Sequence, residues 1–232
     1  MTVIVVSSVH GSPGTTSLAF DLTSAFVDRA ILIEADPDGG SLAARFDLAL
    51  KPGLMELAGA ARAGLEPADL WNYAQSATGG VAVVVAHPAA EQTSSALRAA
   101  GAQIASAAAR FEGLVVIDIG RLRPGSAALS ALSPSAHTLI VTENSVEAVV
   151  SLANRTQLIG GCPSPMVILN GAAPYGSADI AAVTQQRVWG VVPRAHSRRD
   201  GRARATAIEN LFVTLQLAKS PLAFVDDLVA SS

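Results

Sequence analysis

The sequence has a single cysteine, almost no lysine and no long apolar run. Cys162 is the only cysteine among 232 residues, so no disulfide can form within one chain, which is typical of a reducing cytoplasm. No stretch reaches the roughly 18 apolar residues that a membrane-spanning helix needs, and the apolar N-terminal segment 2–6 is too short for an export signal. We therefore expect a cytoplasmic protein that does not span a membrane.

Positive charge is scarce and unevenly distributed. The formal net charge is −3 and only 15% of the residues are charged, which excludes a global basic field for nucleic acid or anionic lipid. The C-terminal segment 220–232 contains two aspartates and no basic residue, so we expect no membrane binding through it. One basic cluster stands out, at Arg198, Arg199, Arg202 and Arg204. It is either a weak, non-specific contact for DNA or an acidic partner, or a solvated helix face.

Short apolar runs alternate with longer Ala- and Leu-rich segments. The runs predict buried strands at 2–7, 30–34, 80–86, 113–119, 137–142, 165–170 and 188–192. The segments between and after them predict helices at 15–28, 53–62, 91–110, 144–158, 178–186, 206–218 and 221–229. Continuous apolar strands are buried on both faces, so the pattern predicts an α/β fold with a doubly wound, mostly parallel sheet flanked by helices. We expect one domain over residues 1–232.

A glycine-containing loop follows the first predicted strand. In VHGSPGTTS (9–17), Gly11 and Gly14 allow backbone N–H groups to converge at the start of a helix, where phosphates bind. Thr16 stands where a hydroxyl would ligate magnesium. The strict pattern GxxxxGK[ST] fails at Val9 and at Thr15, which replace its first glycine and its lysine. On these residues alone, the loop is a phosphate-binding loop, the remnant of one, or an ordinary turn.

Acidic residues follow two of the predicted strands. Glu34 and Asp36 lie at the end of the second strand, and Asp118 ends the strand at 113–119. Carboxyl ends of parallel strands form the ligand-binding edge of such a sheet. Asp118 is therefore placed to hold a metal opposite the loop, unless it is only a helix cap or a turn residue.

Taken in order, these motifs resemble the ParA/MinD group of P-loop ATPases, including its divergent TadZ/CpaE branch. The resemblance covers about the whole chain through six soft motifs: 10–17, 34–37, 52–60, Asp118, Asn170 and 190–197. It implies binding of ATP or ADP with magnesium, and a possible homodimer. The implied nucleotide-binding residues are Gly11, Ser12, Gly14, Thr15, Thr16, Ser17, Asn170 and Pro193. The implied magnesium ligands are Thr16 and Asp118, and Asp36 would orient the attacking water.

The departures from this family concern its two lysines. One belongs at the Thr15 position, where it binds phosphates in its own subunit, and the other at the His10 position, where it reaches across a dimer. Both are absent, and Arg121 or Arg123 is a candidate substitute. The first hypothesis is thus a ParA/MinD-like localisation or assembly factor that binds partners without catalysis. The alternatives are a weakened ATPase with ATP-linked dimerisation, and an enzyme that uses the loop for another substrate.

Overall fold

The computed structural model describes residues 2–11, 13–26, 29–194 and 198–216, without the side chains of Arg198 and Arg199. Within these ranges the strands are β1 Thr2–Ser8, β2 Ala30–Glu34, β3 Gln75–Ser76, β4 Ala82–Val84, β5 Leu114–Arg121, β6 His137–Glu143, β7 Pro165–Asn170 and β8 Val188–Val192. The α-helices are α1 Thr15–Ser24, α2 Leu42–Arg45, α3 Leu54–Gly64, α4 Ala90–Arg110, α5 Val146–Ala153, α6 Thr156–Gly160, α7 Ser177–Thr184 and α8 Arg198–Thr214. Short 3₁₀ helices occur at Pro67–Tyr73, Thr78–Gly80 and Ala127–Ala131.

All eight strands belong to one sheet, in the order β3-β4-β2-β5-β1-β6-β7-β8. The pairing of β3 with β4 is antiparallel, and the other neighbouring pairs are parallel. This confirms the predicted doubly wound, mostly parallel sheet. Because β1 lies between β5 and β6, the chain leaves β1 at the point where the strand order reverses, which is where ligands bind in such sheets.

The sheet is covered on both faces. Successive side chains of a strand point to opposite faces, so Val5 packs into the apolar layer that contains Leu97 of α4. Its neighbour Ile4 packs into the opposite layer, with Leu18 of α1 and Phe212 of α8. Both faces of the central strands therefore need apolar side chains, which is why these strands appear in the sequence as unbroken apolar runs.

Several element boundaries differ from the prediction. The predicted helix 144–158 is two helices, α5 and α6, because Asn154 ends the first and Arg155 precedes the second with a non-helical φ of −122°. Helix α8 begins at Arg198, earlier than the predicted 206–218, and β4 is shorter than the predicted 80–86. The predicted helix 221–229 lies outside the described residues. No helix in the described part of the chain has both the length and the apolar character needed to span a membrane.

The prediction that Arg204 belongs to an exposed basic surface is wrong. Its Nε donates a hydrogen bond to Asp21 Oδ2 at 2.5 Å, and its Nη1 donates to the Pro193 carbonyl at 2.9 Å. The Arg204 and Asp21 side chains are each only 7% exposed. Arg204 thus fastens α8 to α1, whereas Arg202, two residues earlier, is exposed. Arg202 and Arg204 are therefore close in sequence but lie on different faces of the helix.

We expect Arg204→Met to lower the free energy of unfolding by about 3–5 kcal/mol, because Asp21 would remain buried without its partner. Urea denaturation measures the free energy of unfolding. The matched control is Arg202→Met at an exposed position, whose free energy of unfolding should lie within about 0.5 kcal/mol of that of the original protein. Adding Asp21→Leu to Arg204→Met should restore most of the loss, since it removes the uncompensated charge. An equal loss of unfolding free energy in Arg204→Met and Arg202→Met would contradict the assigned role of the Arg204–Asp21 pair.

Candidate phosphate-binding site

The loop between β1 and α1 ends in a glycine turn at the start of a helix, where backbone N–H groups can bind an anion. Gly14 immediately precedes α1 with φ 86° and ψ 30°, a left-handed conformation that favours glycine. The first hydrogen bond of α1 runs from Leu18 N to Gly14 O at 2.9 Å. The N–H groups of Thr15, Thr16 and Ser17 therefore have no partner within the helix. Gly11 also has a positive φ, of 60°, and Ser12 lies outside the described residues.

Asn170 at the end of β7 holds the loop from the side. Its Nδ2 donates a hydrogen bond to the Pro13 carbonyl. A Cβ added at Gly14 would lie 3.0 Å from this Nδ2, so Asn170 and the left-handed φ both disfavour any larger residue at this position. The Oδ1 atom of Asn170 is buried without a hydrogen-bond partner. The structure thus brings a buried acceptor without a hydrogen-bond partner to the loop.

Asp118 lies on β5 between Val6 of β1 and Glu34 of β2. It is completely buried. Its Oδ1 accepts a hydrogen bond from Gly120 N at 3.0 Å, and its Oδ2 has no partner. Burial raises the pKa of Asp118 to about 7, although the Thr16 hydroxyl and the Gly120 N–H oppose this rise.

A buried carboxyl group with an open oxygen beside a threonine hydroxyl fits magnesium, which prefers oxygen ligands and keeps others from phosphate or water. Among the described residues, no group of three or more His, Cys, Asp or Glu side chains could hold a metal ion. Magnesium at Thr16 and Asp118 would therefore depend on oxygens supplied by a phosphate ligand.

Glu34 has a structural task that the sequence did not reveal. Its Oε1 accepts hydrogen bonds from the backbone N–H groups of Ser41 at 2.7 Å and Leu42 at 3.0 Å, and its Oε2 accepts one from Ala86 at 3.0 Å. These bonds fasten the end of β2 to the start of α2 and to the chain after β4. Burial nevertheless raises the pKa of Glu34, against the effect of these N–H donors.

Asp36 lies over the end of β5. A Cβ added at Gly120 would be only 2.1 Å from Asp36 Cγ, so the carboxyl group occupies the space that a side chain at Gly120 would fill. Asp36 Oδ1 accepts a hydrogen bond from Asp38 N at 2.9 Å. Burial raises the pKa of Asp36, while the hydrogen bond from Asp38 N lowers it. The structure therefore brings Asp36 close to the strand that carries Asp118.

Neither residue at the two lysine positions supplies a cation to the loop. Thr15 is buried. His10 is exposed, and its Nδ1 lies 3.2 Å from the Ser151 hydroxyl of α5 in the same chain. Neither position therefore carries a lysine side chain that could bind phosphate.

Of the two arginines proposed as substitutes, only Arg121 contacts the loop. Its Nη2 donates to the Gly11 carbonyl at 3.0 Å. Arg123 instead forms two hydrogen bonds with the Asp38 carboxylate, at 3.1 and 2.8 Å. A third arginine escaped the sequence analysis: Arg45 Nη1 donates to the Ser17 hydroxyl at 3.2 Å.

Pro193 follows β8, which pairs with β7 so that Asn170 lies opposite Val192. Asn170 and Pro193 are therefore neighbours at the same sheet edge as the loop. The carbonyl of Pro193 accepts the hydrogen bond from Arg204 Nη1, which ties this edge to α8. The structure thus brings together the described residues of the loop, Asp36, Asp118, Asn170 and Pro193 at the carboxyl ends of the parallel strands.

This arrangement is that of a P-loop nucleotide-binding fold, and comparison with solved structures identifies its type. No protein-family model matches the sequence, and no curated protein matches it either. A ParA family ATPase from Chlorobium tepidum TLS is similar in structure, with a TM-score of 0.71 and 15% identity over 97% of this chain and 96% of that one. The ATP complex of Cyanothece McdA(D38A) has a TM-score of 0.68 and 18% identity over 95% and 98% of the two chains.

A third similar structure is the MinC:MinD cell division protein complex of Aquifex aeolicus. It has a TM-score of 0.60 and 17% identity over 97% of this chain and 99% of that one. The chain therefore has the fold of the ParA and MinD ATPases, as its motifs predicted. At such low identity the likeness establishes the fold and not a shared chemistry. Placement in the TadZ/CpaE branch stays a prediction.

The raised pKa of Asp118 predicts a pH-dependent effect on stability. Between pH 3.8, its ordinary pKa, and about 7, its pKa in the folded chain, folded Asp118 holds a proton that the unfolded chain releases. Its contribution to stability therefore falls as the pH rises through this window. Asp118→Asn removes that dependence, so the variant should gain stability relative to the original protein, by up to about 4 kcal/mol at pH 8 and little at pH 4.

Urea denaturation at both pH values measures the difference. The control is Asp179→Asn, at an exposed aspartate of α7, where no buried carboxyl group is replaced and no large gain in stability at pH 8 is expected. A constant difference between Asp118→Asn and the original protein would show that Asp118 ionises normally in the fold.

Proposed function

We propose that this chain is a ParA/MinD-like localisation or assembly factor that acts by binding partners and does not catalyse ATP hydrolysis. One observation carries the proposal: the glycine turn at the start of α1 is present, but neither lysine position supplies a cation. Gly14 retains its left-handed conformation at the start of α1, whereas Thr15 is a buried neutral residue and His10 contacts Ser151 of its own chain.

The missing charges matter more for catalysis than for binding. Phosphoryl transfer depends almost entirely on positioning and on neutralising the developing charge. A charge-assisted hydrogen bond contributes about 1.5–3 kcal/mol. Two of them contribute roughly 3–6 kcal/mol, which corresponds to about two to four decades in affinity. The transition state should lose at least as much stabilisation as the bound nucleotide does.

The rest of the site fits a nucleotide. Backbone N–H groups of the loop and of Thr15, Thr16 and Ser17 would bind phosphate, and Asn170 and Pro193 would border the base. Thr16 and Asp118 would hold magnesium, which neutralises phosphate charge when it is bound. We therefore propose weak binding of ATP or ADP with magnesium at the carboxyl edge of the sheet. The similar McdA(D38A) structure from Cyanothece is a complex with ATP, which supports this ligand class.

A second candidate is a weakened ATPase whose dimerisation is linked to ATP. The observation that favours it is Asp36, which remains in place over Gly120 beside the Asp118 strand. In the resembled family this aspartate orients the attacking water. If slow hydrolysis occurs, Asp36 would be its catalytic residue.

The partner is proposed to be a protein, a second copy of this chain, or weakly bound DNA. MinD of Aquifex aeolicus occurs in a complex with MinC, which supports a protein partner. For DNA or an acidic partner the remaining candidates are Arg198, Arg199 and Arg202, since Arg204 is buried against Asp21. We further propose a cytoplasmic location and no association with membranes.

We expect no steady-state ATP hydrolysis by the purified protein with magnesium, because the loop lacks both lysines. A phosphate-release assay should give the same residual rate for the original protein, for Asp36→Ala and for the exposed-site control Asp179→Ala. Such a residual rate belongs to contaminating enzymes. Turnover that disappears in Asp36→Ala and persists in Asp179→Ala would contradict the non-catalytic proposal and support the weakened ATPase.

A further inference from the structure

We propose that Arg121 is the phosphate-binding cation of the loop, and that its ligand carries at least two linked phosphates, as a nucleoside diphosphate or triphosphate does. The inference rests on the proposed function only in taking the loop between β1 and α1 as a phosphate-binding turn. It assigns the missing positive charge to a strand that lies beside the loop instead of to the loop itself.

The sheet delivers Arg121 to the loop. Arg121 is the last residue of β5, and it pairs with Ser8, the last residue of β1. The loop begins directly after Ser8, so the side chain of Arg121 starts beside the first residues of the loop. Its Nη2 donates to the Gly11 carbonyl at 3.0 Å, across 110 residues of sequence. The guanidinium group is therefore held at the loop by long-range structure.

Arg121 forms no direct ion pair in the described part of the chain, although Asp36 is near enough for the charge of Arg121 to lower the pKa of its carboxyl group. No carboxylate there lies within 4.0 Å of its guanidinium nitrogens, whereas Arg123 pairs with Asp38 at 2.8 Å and Arg204 with Asp21 at 2.5 Å. The Nε of Arg121 is buried and has no hydrogen-bond partner. A partly buried cation with an unused donor is unfavourable unless an anion compensates it.

A second buried atom at the same sheet edge points independently to a ligand. Asp118 is 0% exposed, and its Oδ2 has no hydrogen-bond partner. A phosphate alone would leave the Asp118 carboxyl group without a partner, but a magnesium–phosphate complex would satisfy Asp118 and Arg121 together. The pair therefore favours a phosphate ligand that carries a divalent cation.

An arginine on β5 would differ from a lysine on α1 in what it recognises. Its planar fork can bind two phosphate oxygens at once, whereas lysine is a flexible point charge. Because the fork comes from the neighbouring strand, it neutralises bound phosphate without occupying the Thr15 position. This arrangement accounts for binding in a chain that lacks the lysine used for hydrolysis.

Calorimetry on the full chain tests the assignment, with magnesium pyrophosphate, magnesium ADP and adenosine as ligands. Arg121→Ala should weaken pyrophosphate and ADP binding by about tenfold or more, as expected for the loss of one charged hydrogen-bond donor group. The affinities of Arg121→Lys should lie between those of the original protein and of Arg121→Ala. Lysine keeps the positive charge but loses the planar guanidinium group that binds two oxygens. Arg123→Ala is the matched control and should change each affinity by less than about twofold, since Asp38 neutralises Arg123. Adenosine binding, if measurable, should not depend on Arg121.

Arg121→Gln removes the charge but keeps a polar side chain, so it separates the loss of charge from the truncation in Arg121→Ala. Circular dichroism and thermal unfolding establish that each variant is folded. Pyrophosphate binding by Arg121→Gln or Arg121→Ala as tight as that of the original protein would overturn the assignment. Absence of any phosphate binding by the folded original protein would overturn it too, while leaving the non-catalytic proposal standing. ATP turnover would overturn the non-catalytic proposal alone.

Discussion

The parallel pairing of β1 with β5 is the constraint on which the site depends. It places Asp118 beside Val6 and, after a one-residue register shift, Arg121 beside Ser8, so this pairing and its shift set both the buried carboxyl group and the arginine next to the loop. The Ser7 hydroxyl strengthens this junction by donating to the Gly120 carbonyl at 2.9 Å. Slipping the register by one residue would turn every side chain of β5 to the other face of the sheet, which would remove Asp118 and Arg121 from the loop together.

The central sheet could be predicted because its strands are covered on both faces and so consist of unbroken apolar runs. Elements such as the two-residue β3 and the four-residue α2 escaped prediction, because they are too short to show a period. Arg204 shows another limit. Residues that are close in sequence point to different sides of a helix. Arg202 is exposed, whereas Arg204 is buried against Asp21. Only the packing of α8 on α1 determines which of the two side chains is buried.

Some features of the candidate site could likewise be predicted from the sequence, and others could not. The turn glycines and Asp118 could be identified from the sequence, because a strand followed by a glycine turn and a helix is a local pattern. The contacts that hold the site are not local. Glu34 binds N–H groups 7, 8 and 52 residues away, and Arg121 reaches Gly11 across 110 residues. The fold shared with ParA and MinD proteins supplies the scaffold, while long-range contacts such as that of Arg121 set the charge around the loop.

The central claim is that the loop is a phosphate cradle that lacks its lysine, and the nucleotide affinity of Thr15→Lys tests it most directly. Calorimetry with magnesium ATP should show at least about a tenfold gain over the original protein, as expected for one added charged hydrogen bond. The gain should be lost again in Thr15→Lys/Asp118→Ala. The control Thr214→Lys places the same charge on the exposed end of α8 and should give no gain. If folded Thr15→Lys and Thr15→Lys/His10→Lys bind no nucleotide, the loop is an ordinary strand-to-helix turn and the account is contradicted.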